Sequence, residues 1–317
     1  MNAITKFKSL EETLKEGIMG QDHVVERVAD YVKNGELGLT DEDEPRGSFL
    51  FLGPTGTGKT ELVKQLTEAV FGNHKEKMIR FDMSEYMSED SITKLIGDHT
   101  GYEGQLGNFL LDNKDDGGVI LFDEMEKAAK PILDVFLQIL DDARITTGQG
   151  TLHSLNKFYI ILTSNIGANQ IMKATKLSRT AVEKMIIDIV IAAGYRPEFL
   201  GRFNDVIVYN KLSLEVIRTI GQHMIKKELK RLKKEKNIDI VYDSDFLELA
   251  VMMGSDTRLG ARPMRSFVNK SIRSAIREKA HSLSDDEAGQ ISNFQADLSA
   301  LSGKLVVDKK NMNVSLS

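Results

Sequence analysis

A short glycine-rich segment, Gly53–Thr60, constrains the fold more than any other part of the sequence. It reads Gly-Pro-Thr-Gly-Thr-Gly-Lys-Thr and matches the pattern Gly-x-x-x-x-Gly-Lys-Ser/Thr. The apolar run Phe49–Leu52 precedes it and a helical pattern over Glu61–Phe71 follows it, which predicts a strand, a loop and a helix. In that order the glycines let backbone N–H groups turn towards a phosphate, and the helix N-terminus adds its positive dipole end. The segment therefore predicts an α/β core with a phosphate-binding loop.

The residue types of this loop predict the binding of ATP together with Mg²⁺. Lys59 is expected to reach the β- and γ-phosphates, and the Thr60 hydroxyl is expected to ligate the magnesium ion. The residues expected around the phosphates are Pro54, Thr55, Gly56, Thr57, Gly58, Lys59 and Thr60.

A second part of the same site follows the apolar run Val119–Phe122, which ends in two carboxylates. Ligands bind at the carboxyl ends of parallel strands, so both acids are expected beside the loop. We predict that Asp123 holds the magnesium ion and that Glu124 polarises the water that attacks the γ-phosphate. The alternative is that the two acids only cap the helix that follows.

Five apolar runs, with helical patterns between them, predict a parallel sheet covered on both faces. The predicted strands are Phe49–Leu52, Met78–Phe81, Val119–Phe122, Tyr159–Leu162 and Val206–Tyr209. Helices are predicted over Glu61–Phe71 and Pro131–Leu140, and each has an apolar stripe to pack on the sheet.

The strand pattern stops after Asn210, which divides the chain into two predicted domains. We expect a nucleotide-binding α/β domain over residues 1–211 and a helical domain over residues 212–317. The elements predicted in the second domain are helices over Leu214–Lys236, Asp245–Met253 and Ser266–Ala280, and a hairpin of Lys304–Val307 with Asn313–Leu316. The lysine-rich stretch Lys226–Lys236 has apolar residues at helical spacing, which favours the solvated side of a helix over a contact with nucleic acid.

Charge and composition argue against several classes of protein. The net charge of −5 does not fit a surface that is basic throughout and binds nucleic acid by charge alone. Because the sequence has no cysteine, it has no disulfide framework, thiolate metal site or thiol nucleophile. No signal peptide begins the chain, and no run approaches the roughly 18 apolar residues of a membrane span. These features predict a soluble, cytoplasmic protein without a membrane partner.

Several stretches together resemble the second ATPase module of the AAA+ Clp-family unfoldases and disaggregases, over nearly the whole chain. The stretches are Ile18–Gln21, Gly47–Gly56, Asp123–Ala128, Gln138–Asp142, Thr147–Gly150, Thr163–Asn165, Arg196–Phe199 and Gly260–Pro263. The resemblance implies an αβα core with a five-stranded parallel sheet, a small helical lid domain that ends in a short β-hairpin, and nucleotide between the two. It also implies an ATPase that assembles into a homo-oligomeric ring, commonly a hexamer, and remodels, unfolds or translocates a protein substrate.

The resemblance implies roles for single residues as well. Ile18 and Met19 would line the adenine pocket. Asn165 would orient the attacking water, Arg262 would read the γ-phosphate within the same subunit, and Arg202 would be the arginine finger presented to the neighbouring subunit. Taken alone, a single Asn after a strand is typical of a turn, and a single Arg is typical of a surface ion pair.

Tyr102 lies in a segment, Leu95–Gly104, that resembles the loop lining the central pore of such rings. By that resemblance Tyr102 grips the substrate, because an aromatic side chain between glycines packs on a polypeptide without reading its sequence. The alternative is an ordinary loop tyrosine. Glu103 departs from the family, which usually has a small apolar residue there, and a ring of glutamates would make the pore acidic.

Two functional classes stay open on the sequence. The first is an enzyme that threads or remodels protein, and the second is a nucleotide-controlled assembly switch or loader acting on a protein–nucleic-acid complex. The chain lacks the N-terminal substrate-binding domain and first ATPase ring of larger relatives, so substrate choice is expected to come from elsewhere. Between Asn165 and Arg196 we find no Ile-Gly-Leu or Ile-Gly-Phe tripeptide for docking on a Clp-type peptidase, so that partner is not expected.

Overall fold

The computed structural model describes residues 3–256, 260–286, 301–308 and 311–317. The chain divides into two compact units, Met1–Lys211 and Leu212–Ser317. Each unit has a hydrophobic core of its own. Across the described residues, none of the helices combines the length and the apolar character needed to cross a bilayer.

The first unit contains a parallel sheet of five strands with helices on both faces. Its strands in chain order are β1 (Gly47–Leu52), β2 (Met78–Asp82), β3 (Gly118–Asp123), β4 (Arg144–Thr146), β5 (Leu152–Ser154), β6 (Phe158–Ser164) and β7 (Asp205–Val208). Its helices are α1 (Ala3–Gly17), α2 (Asp22–Glu36), α3 (Lys59–Phe71), α4 (His74–Lys77), α5 (Ile92–Ile96), α6 (Gly104–Asp112), α7 (Lys130–Asp142), α8 (Ala168–Lys173), α9 (Arg179–Ala192) and α10 (Pro197–Leu200). The order across the large sheet is β2-β3-β6-β1-β7, and β4 and β5 form a separate antiparallel hairpin.

Alternate residues of the central strands supply two apolar layers, one on each face of the sheet. In β1, Leu50 packs into the layer that contains Phe136 of α7, and Phe49 packs into the layer that contains Leu62 of α3. Every residue of β1, β3 and β6 is buried. A strand buried on both faces has a nearly continuous apolar sequence, which is why the sequence pattern identifies these strands.

The predicted five-stranded sheet is confirmed, with differences at the ends of elements. The last strand is Asp205–Val208, one residue earlier than predicted, and the fully buried Tyr209 follows it. The sequence patterns do not indicate the hairpin of β4 and β5. Each of these strands is three residues long with one buried residue, so its apolar signal is too short to recognise.

In its described residues, the second unit contains three helices and a small sheet. Its elements are α11 (Leu214–Lys236), β8 (Asp239–Tyr242), α12 (Ser244–Gly254), α13 (Arg262–Asp286), β9 (Ser302–Asp308) and β10 (Asn313–Leu316). The antiparallel pair of β9 and β10 confirms the predicted hairpin. β8 adds a parallel strand beside β9 that the sequence does not indicate, because its partner lies far along the chain.

The lysine-rich stretch of the second unit lies on α11. Ile225 and Leu232 are buried on one side of this helix, whereas Lys226, Lys230 and Lys233 are exposed. The stretch is therefore the solvated side of an amphipathic helix, as its spacing predicts.

Candidate active site

The glycine-rich loop, Asp123, Glu124 and Asn165, all predicted to act on the nucleotide, meet at the carboxyl edge of the large sheet. The neighbouring strands β3, β6 and β1 end at Asp123, Ser164 and Leu52. The loop after β1 begins with Gly53, whose N–H donates to Ser164 O at 3.1 Å and extends this edge. In open parallel sheets ligands bind in the crevice at this edge. The arrangement therefore brings the glycine-rich loop, the two carboxylates and Asn165 into one crevice.

The glycine-rich loop has the geometry of a phosphate cradle. Gly56 and Gly58 have φ angles of 75° and 105°, which residues with side chains rarely adopt. The buried Thr57 hydroxyl donates to Pro54 O at 2.8 Å and closes the loop from the inside. α3 begins at Lys59, so the N–H groups of its first turn have no acceptor within the helix. These features fit an anion bound at the N-terminus of α3.

Lys59 is buried and points back across the loop. Its Nζ donates to Gly53 O at 2.6 Å, to Pro54 O at 2.9 Å and to Asn165 Oδ1 at 3.0 Å. Burial lowers the pKa of Lys59 to about 8, because desolvation disfavours the charged ammonium group. The nearby carboxylates, of which Asp123 has the largest effect, oppose this shift of the pKa. The ammonium group therefore loses its proton at about pH 8 until a further negative charge reaches it.

We expect ATP binding to take up a proton at about pH 8.5. The phosphates stabilise the charged form of Lys59 and raise its pKa above the value of about 8, so a neutral Lys59 gains a proton when ATP binds. For the same reason ATP affinity should fall as pH rises through about 8, by up to about tenfold per pH unit. Titration calorimetry at about pH 8.5 in two buffers of different ionisation enthalpy measures this uptake. Titration at about pH 7 is the control, with a smaller uptake, and equal binding enthalpies in both buffers at about pH 8.5 would contradict the expectation.

Asp123, the predicted magnesium ligand, is the last residue of β3 and lies beside Thr60. Thr163 Oγ1 donates to Asp123 Oδ1, and the Arg80 guanidinium lies 2.7 Å from Oδ2. Thr60 Oγ1 is 3.5 Å from the same Oδ2. Mg²⁺ prefers oxygen ligands, and proteins often hold it with one or two oxygens that act together with nucleotide phosphates. The oxygens of Thr60 and Asp123 therefore fit a magnesium ion that binds with the nucleotide.

Glu124 and Asn165 are joined by a hydrogen bond. Asn165 Nδ2 donates to Glu124 Oε1 at 3.2 Å, and Asn165 Oδ1 accepts from Lys59 Nζ. The backbone of Glu124 is in the left-handed region, with φ of 61° and ψ of 53°. That conformation is uncommon for a residue with a side chain, and it occurs preferentially at functional sites. One amide thus connects the carboxylate expected to act on water with the lysine expected to act on phosphate.

Sequence reasoning assigns no role to three polar residues of this crevice, Arg80, Thr163 and Glu126. The first two contact Asp123. Glu126 Oε1 accepts from Asn165 N at 3.3 Å, and its buried Oε2 has no hydrogen-bond partner in the part of the chain that the structure describes. The sequence could have indicated Arg80 and Thr163 as site residues, because each is a polar residue within a largely apolar strand that leads to the crevice.

Ile18 and Met19 lie between α1 and α2, on the same side as the loop. Ile18 is buried, and its Cγ2 lies 3.7 Å from the position that a Cβ would occupy at Gly58. Gln21 is fully buried and exchanges two hydrogen bonds with the backbone of Asn210, at 2.9 and 3.0 Å. Ile18 is therefore in contact range of the loop, and the adenine pocket stays a prediction.

Arg202 lies at the opposite edge of the sheet from this crevice. It comes shortly before β7, whose first residue Asp205 pairs with Phe49 near the start of β1. Phe49 precedes Gly53 by about 13 Å of strand, and Arg202 comes before Asp205, so Arg202 lies away from the crevice of its own unit. Its guanidinium pairs with Asp141 near the end of α7, and its side chain is 33% exposed. This placement fits an arginine that acts on another subunit, and that role stays a prediction.

Tyr102 and Glu103 lie on the loop between α5 and α6. Tyr102 is 42% exposed. The Glu103 side chain is only 15% exposed and accepts a hydrogen bond from Thr151 Oγ1 at 2.8 Å. Its carboxylate is turned towards the turn of the β4–β5 hairpin, and an acidic lining of a pore stays a prediction.

Arg262 belongs to the second unit, where it is the first residue of α13 and is exposed. Before it, Gly260 has a φ of 58° and exchanges two backbone hydrogen bonds with Asp256, at 2.8 and 3.1 Å. Ala261, directly before the helix, is buried. A role for Arg262 at the γ-phosphate stays a prediction.

Comparison with known proteins matches the two units to two families. Residues 44–206 match the family described as AAA domain (Cdc48 subfamily). Residues 212–290 match the family described as C-terminal, D2-small domain, of ClpB protein.

Three relatives named Chaperone protein ClpB illustrate the similarity of single sequences. The relative from Vibrio cholerae serotype O1 is 35% identical over 275 residues, which are 86% of this chain and 32% of that protein. The relative from Meiothermus ruber is 37% identical over 279 residues, which are 86% of this chain and 32% of that protein. The relative from Clostridium perfringens is 36% identical over 312 residues, which are 96% of this chain and 35% of that protein. The chain spans about one third of the length of these relatives.

The two family matches agree with the structure. The first contains the glycine-rich loop, both carboxylates and Asn165, and the second begins at the first residue of the second unit. The resemblance to the second ATPase module of the Clp family is thereby confirmed. The chain belongs to the AAA domain (Cdc48 subfamily) family, has a second domain of the ClpB D2-small type, and is a nucleotide-binding ATPase.

Proposed function

We propose that this chain is a ring-forming motor that hydrolyses ATP to remodel, unfold or translocate a protein substrate. The observation that carries the proposal is the exposed Tyr102, which stands on the loop between α5 and α6 of the ATPase unit. The relatives compared above are named as chaperones, which supports protein as the class of substrate.

The loop that carries Tyr102 is short and closed at its base. Asp98 N donates to Tyr102 O at 2.9 Å. A Cβ added at Gly97 would collide with the same oxygen, and one added at Gly104 would collide with the backbone of Ile96 and Gly97. The closed base supports the exposed aromatic ring. A ring presented in this way can pack against a polypeptide of any sequence, which suits a motor that must handle many sequences.

The polar residues that the sequence predicts for the crevice each have a task in the proposed reaction. The loop N–H groups and Lys59 bind the phosphates, and Glu124 polarises the attacking water while Asn165 holds its carboxylate in place. Thr60 and Asp123 would hold Mg²⁺, which when bound withdraws negative charge from the phosphates. Ile18 and Met19 would contact the adenine, since Ile18 is buried beside Gly58.

Ring assembly, commonly of six subunits in the family, is proposed from the placement of Arg202. An arginine finger stabilises charge that develops on the transferred phosphoryl group, so it must contact the nucleotide. Arg202 is far from the crevice of its own unit, and a neighbouring subunit is the available source of that nucleotide. Hydrolysis would then depend on assembly. Arg262 is proposed to contact the γ-phosphate within the same subunit.

Replacing Tyr102 with alanine is expected to abolish substrate-stimulated ATP turnover and ATP-dependent unfolding of a tagged fluorescent protein. Basal turnover should stay within about threefold of the parent, because the proposal gives Tyr102 a task on the substrate and none in the cleavage of ATP. Tyr102→Phe is the matched control and should keep both activities, since the aromatic face makes the contact. The measurement is the unfolding rate at saturating ATP for the parent and both variants.

Two results would contradict the proposed motor. One is an alanine variant that unfolds the substrate as fast as the parent does. The other is ATP turnover that responds to DNA or RNA with a steep salt dependence and not to unfolded polypeptide, which indicates the assembly switch instead.

A further inference from the structure

Glu103 directs its side chain to a part of the chain that is distant in sequence. It occupies the N-cap position of α6, yet its side chain makes no capping hydrogen bond. Instead Oε1 accepts from Thr151 Oγ1 at 2.8 Å, and Oε2 lies 3.4 Å from His153 Nε2. Thr151 lies in the turn of the hairpin and the buried His153 lies on β5. The carboxylate therefore connects the start of α6 with the hairpin.

The surroundings of this carboxylate restrict its movement. Gly107 lies one turn further along α6, and a Cβ at this position would be 3.2 Å from Glu103 Oε2 and 3.0 Å from Thr147 Cγ2. The missing side chain at Gly107 thus leaves the space that the carboxylate occupies. Hydrogen bonds from Thr147 and Thr151 lower the pKa of Glu103 below its usual value. A charged acceptor makes shorter and stronger hydrogen bonds than a neutral one.

A second contact joins the same two segments, which we name the tyrosine loop (residues 97–103) and the hairpin turn (residues 147–151). Gly148 N donates to Ile96 O at 2.8 Å, directly before the tyrosine loop. A Cβ at Gly148 would collide with Gly97 O, so the two backbones are in close contact at this point. The backbone contact fixes one point between the segments, and Glu103 supplies another.

We propose that Glu103 is a positioning residue whose carboxylate joins the tyrosine loop to the hairpin turn, so that the two segments move as one body when Tyr102 bears load. This inference rests on the proposed substrate-gripping function of Tyr102. Because the two residues are adjacent in the chain, a force on the tyrosine ring acts directly on the attachment. Without Glu103 the loop keeps the backbone contact of Gly148 and can rotate about it.

The expected consequence is a loss of coupling between hydrolysis and movement. A loop that rotates still meets the substrate, but it transmits less of each ATP-driven displacement. Basal hydrolysis and ATP affinity should not change, because the hydrogen bonds of the Glu103 carboxylate in the described residues go to Thr151 and His153 of the hairpin. This combination differs from a general loss of stability, which would lower all activities together.

A double-mutant cycle on Glu103 and Thr151 tests the attachment by measuring the activity of the variants. Glu103→Ala and Thr151→Val should each lower substrate-stimulated turnover and unfolding rate by about three- to tenfold. The double variant should be no worse than the stronger single variant, because both changes remove the same hydrogen bond. Glu103→Gln, which keeps an acceptor oxygen, should lose less than Glu103→Ala. Asp112→Ala is the matched control, since it removes an exposed carboxylate at the other end of α6.

Spin labels test the attachment without any substrate. The sequence has no cysteine, so His99→Cys in the tyrosine loop and Gln149→Cys in the hairpin turn give two labels without background. Both positions are exposed. Labelled protein diluted with unlabelled protein should show a narrow distribution of distances between the labels. Glu103→Ala should broaden that distribution, and Asp112→Ala should leave it narrow.

The two experiments separate failure of the inference from failure of the proposed function. Unchanged label distances in Glu103→Ala, or additive losses in the double-mutant cycle, would overturn the positioning role. Full substrate-stimulated activity in Tyr102→Ala would overturn the gripping function and with it the load-bearing part of the inference, whatever the label distances show. Broadened distances together with the expected cycle support the inference.

Discussion

Replacing Glu124 with glutamine is expected to lower ATP turnover by about 10²- to 10⁴-fold while ATP stays bound. Glutamine has the shape of glutamate and keeps an oxygen that can accept from Asn165 Nδ2, so the crevice should retain its geometry. The neutral amide cannot polarise the attacking water as the carboxylate does. The affinity for ATP should therefore stay within a few-fold of the parent, because the lost interaction acts mainly in the transition state.

Lys59→Ala is the matched variant for this prediction. It removes the ammonium group that is buried beside Asn165 and the loop carbonyls, and with it a positive charge that meets the phosphates in the ground state. We expect it to weaken ATP binding itself. Titration with a fluorescent ATP analogue gives the affinities, and a single-turnover assay gives the rate of cleavage. Equal losses of ATP affinity in the two variants would show that the two roles are assigned incorrectly.

Replacing Arg202 with alanine is expected to lower turnover of the assembled protein by about 10³-fold or more, with ATP affinity almost unchanged. The reason is geometric, because Arg202 lies at the edge of the sheet opposite to the crevice of its own unit. Its charge can then reach only the nucleotide of another subunit. Arg144→Ala is the matched control. Arg144 is an exposed arginine that follows α7 and pairs with Asp142, the last residue of that helix. The control variant should keep full activity.

Mixing two inactive variants tests whether the arginine acts between subunits. When the Arg202→Ala variant is mixed with an excess of the Glu124→Gln variant, some interfaces combine an intact Glu124 with an intact Arg202. We expect partial recovery of turnover at those interfaces. Sedimentation or mass photometry must show that mixed assemblies form. If they form and turnover does not recover, Arg202 acts within its own subunit or outside the site.

The sequence predicts the large sheet and the centre of the crevice because their signals are local. Each central strand is buried on both faces and is therefore a nearly continuous apolar run. The glycine-rich loop needs particular φ angles at Gly56 and Gly58, which restricts the residue types there. Asp123 and Glu124 directly follow an apolar strand. In each case the physical cause acts within a few residues of the signal.

The features that the sequence does not predict depend on partners far along the chain. The Glu103 carboxylate is turned towards the hairpin because it accepts a hydrogen bond from Thr151 and lies beside His153. Each of these two residues is about 50 residues away in the sequence. The charge of Glu103 alone suggests exposure to solvent, whereas its side chain is only 15% exposed. β8 exists because β9 pairs with it from across the second unit. Such pairings leave no periodic pattern in a single sequence, so only the structure shows them.

Helix α7 extends from the carboxyl edge of the large sheet to the opposite edge. It begins shortly after the segment that contains Glu124, and its last turn contains Asp141, the partner of Arg202. Its 13 residues correspond to about 20 Å of helix. Helical hydrogen bonds run parallel to the helix axis, so α7 is stiff along its length. A displacement of the segment that contains Glu124 can therefore reach Arg202 through the helix, without passing through a flexible loop of comparable length.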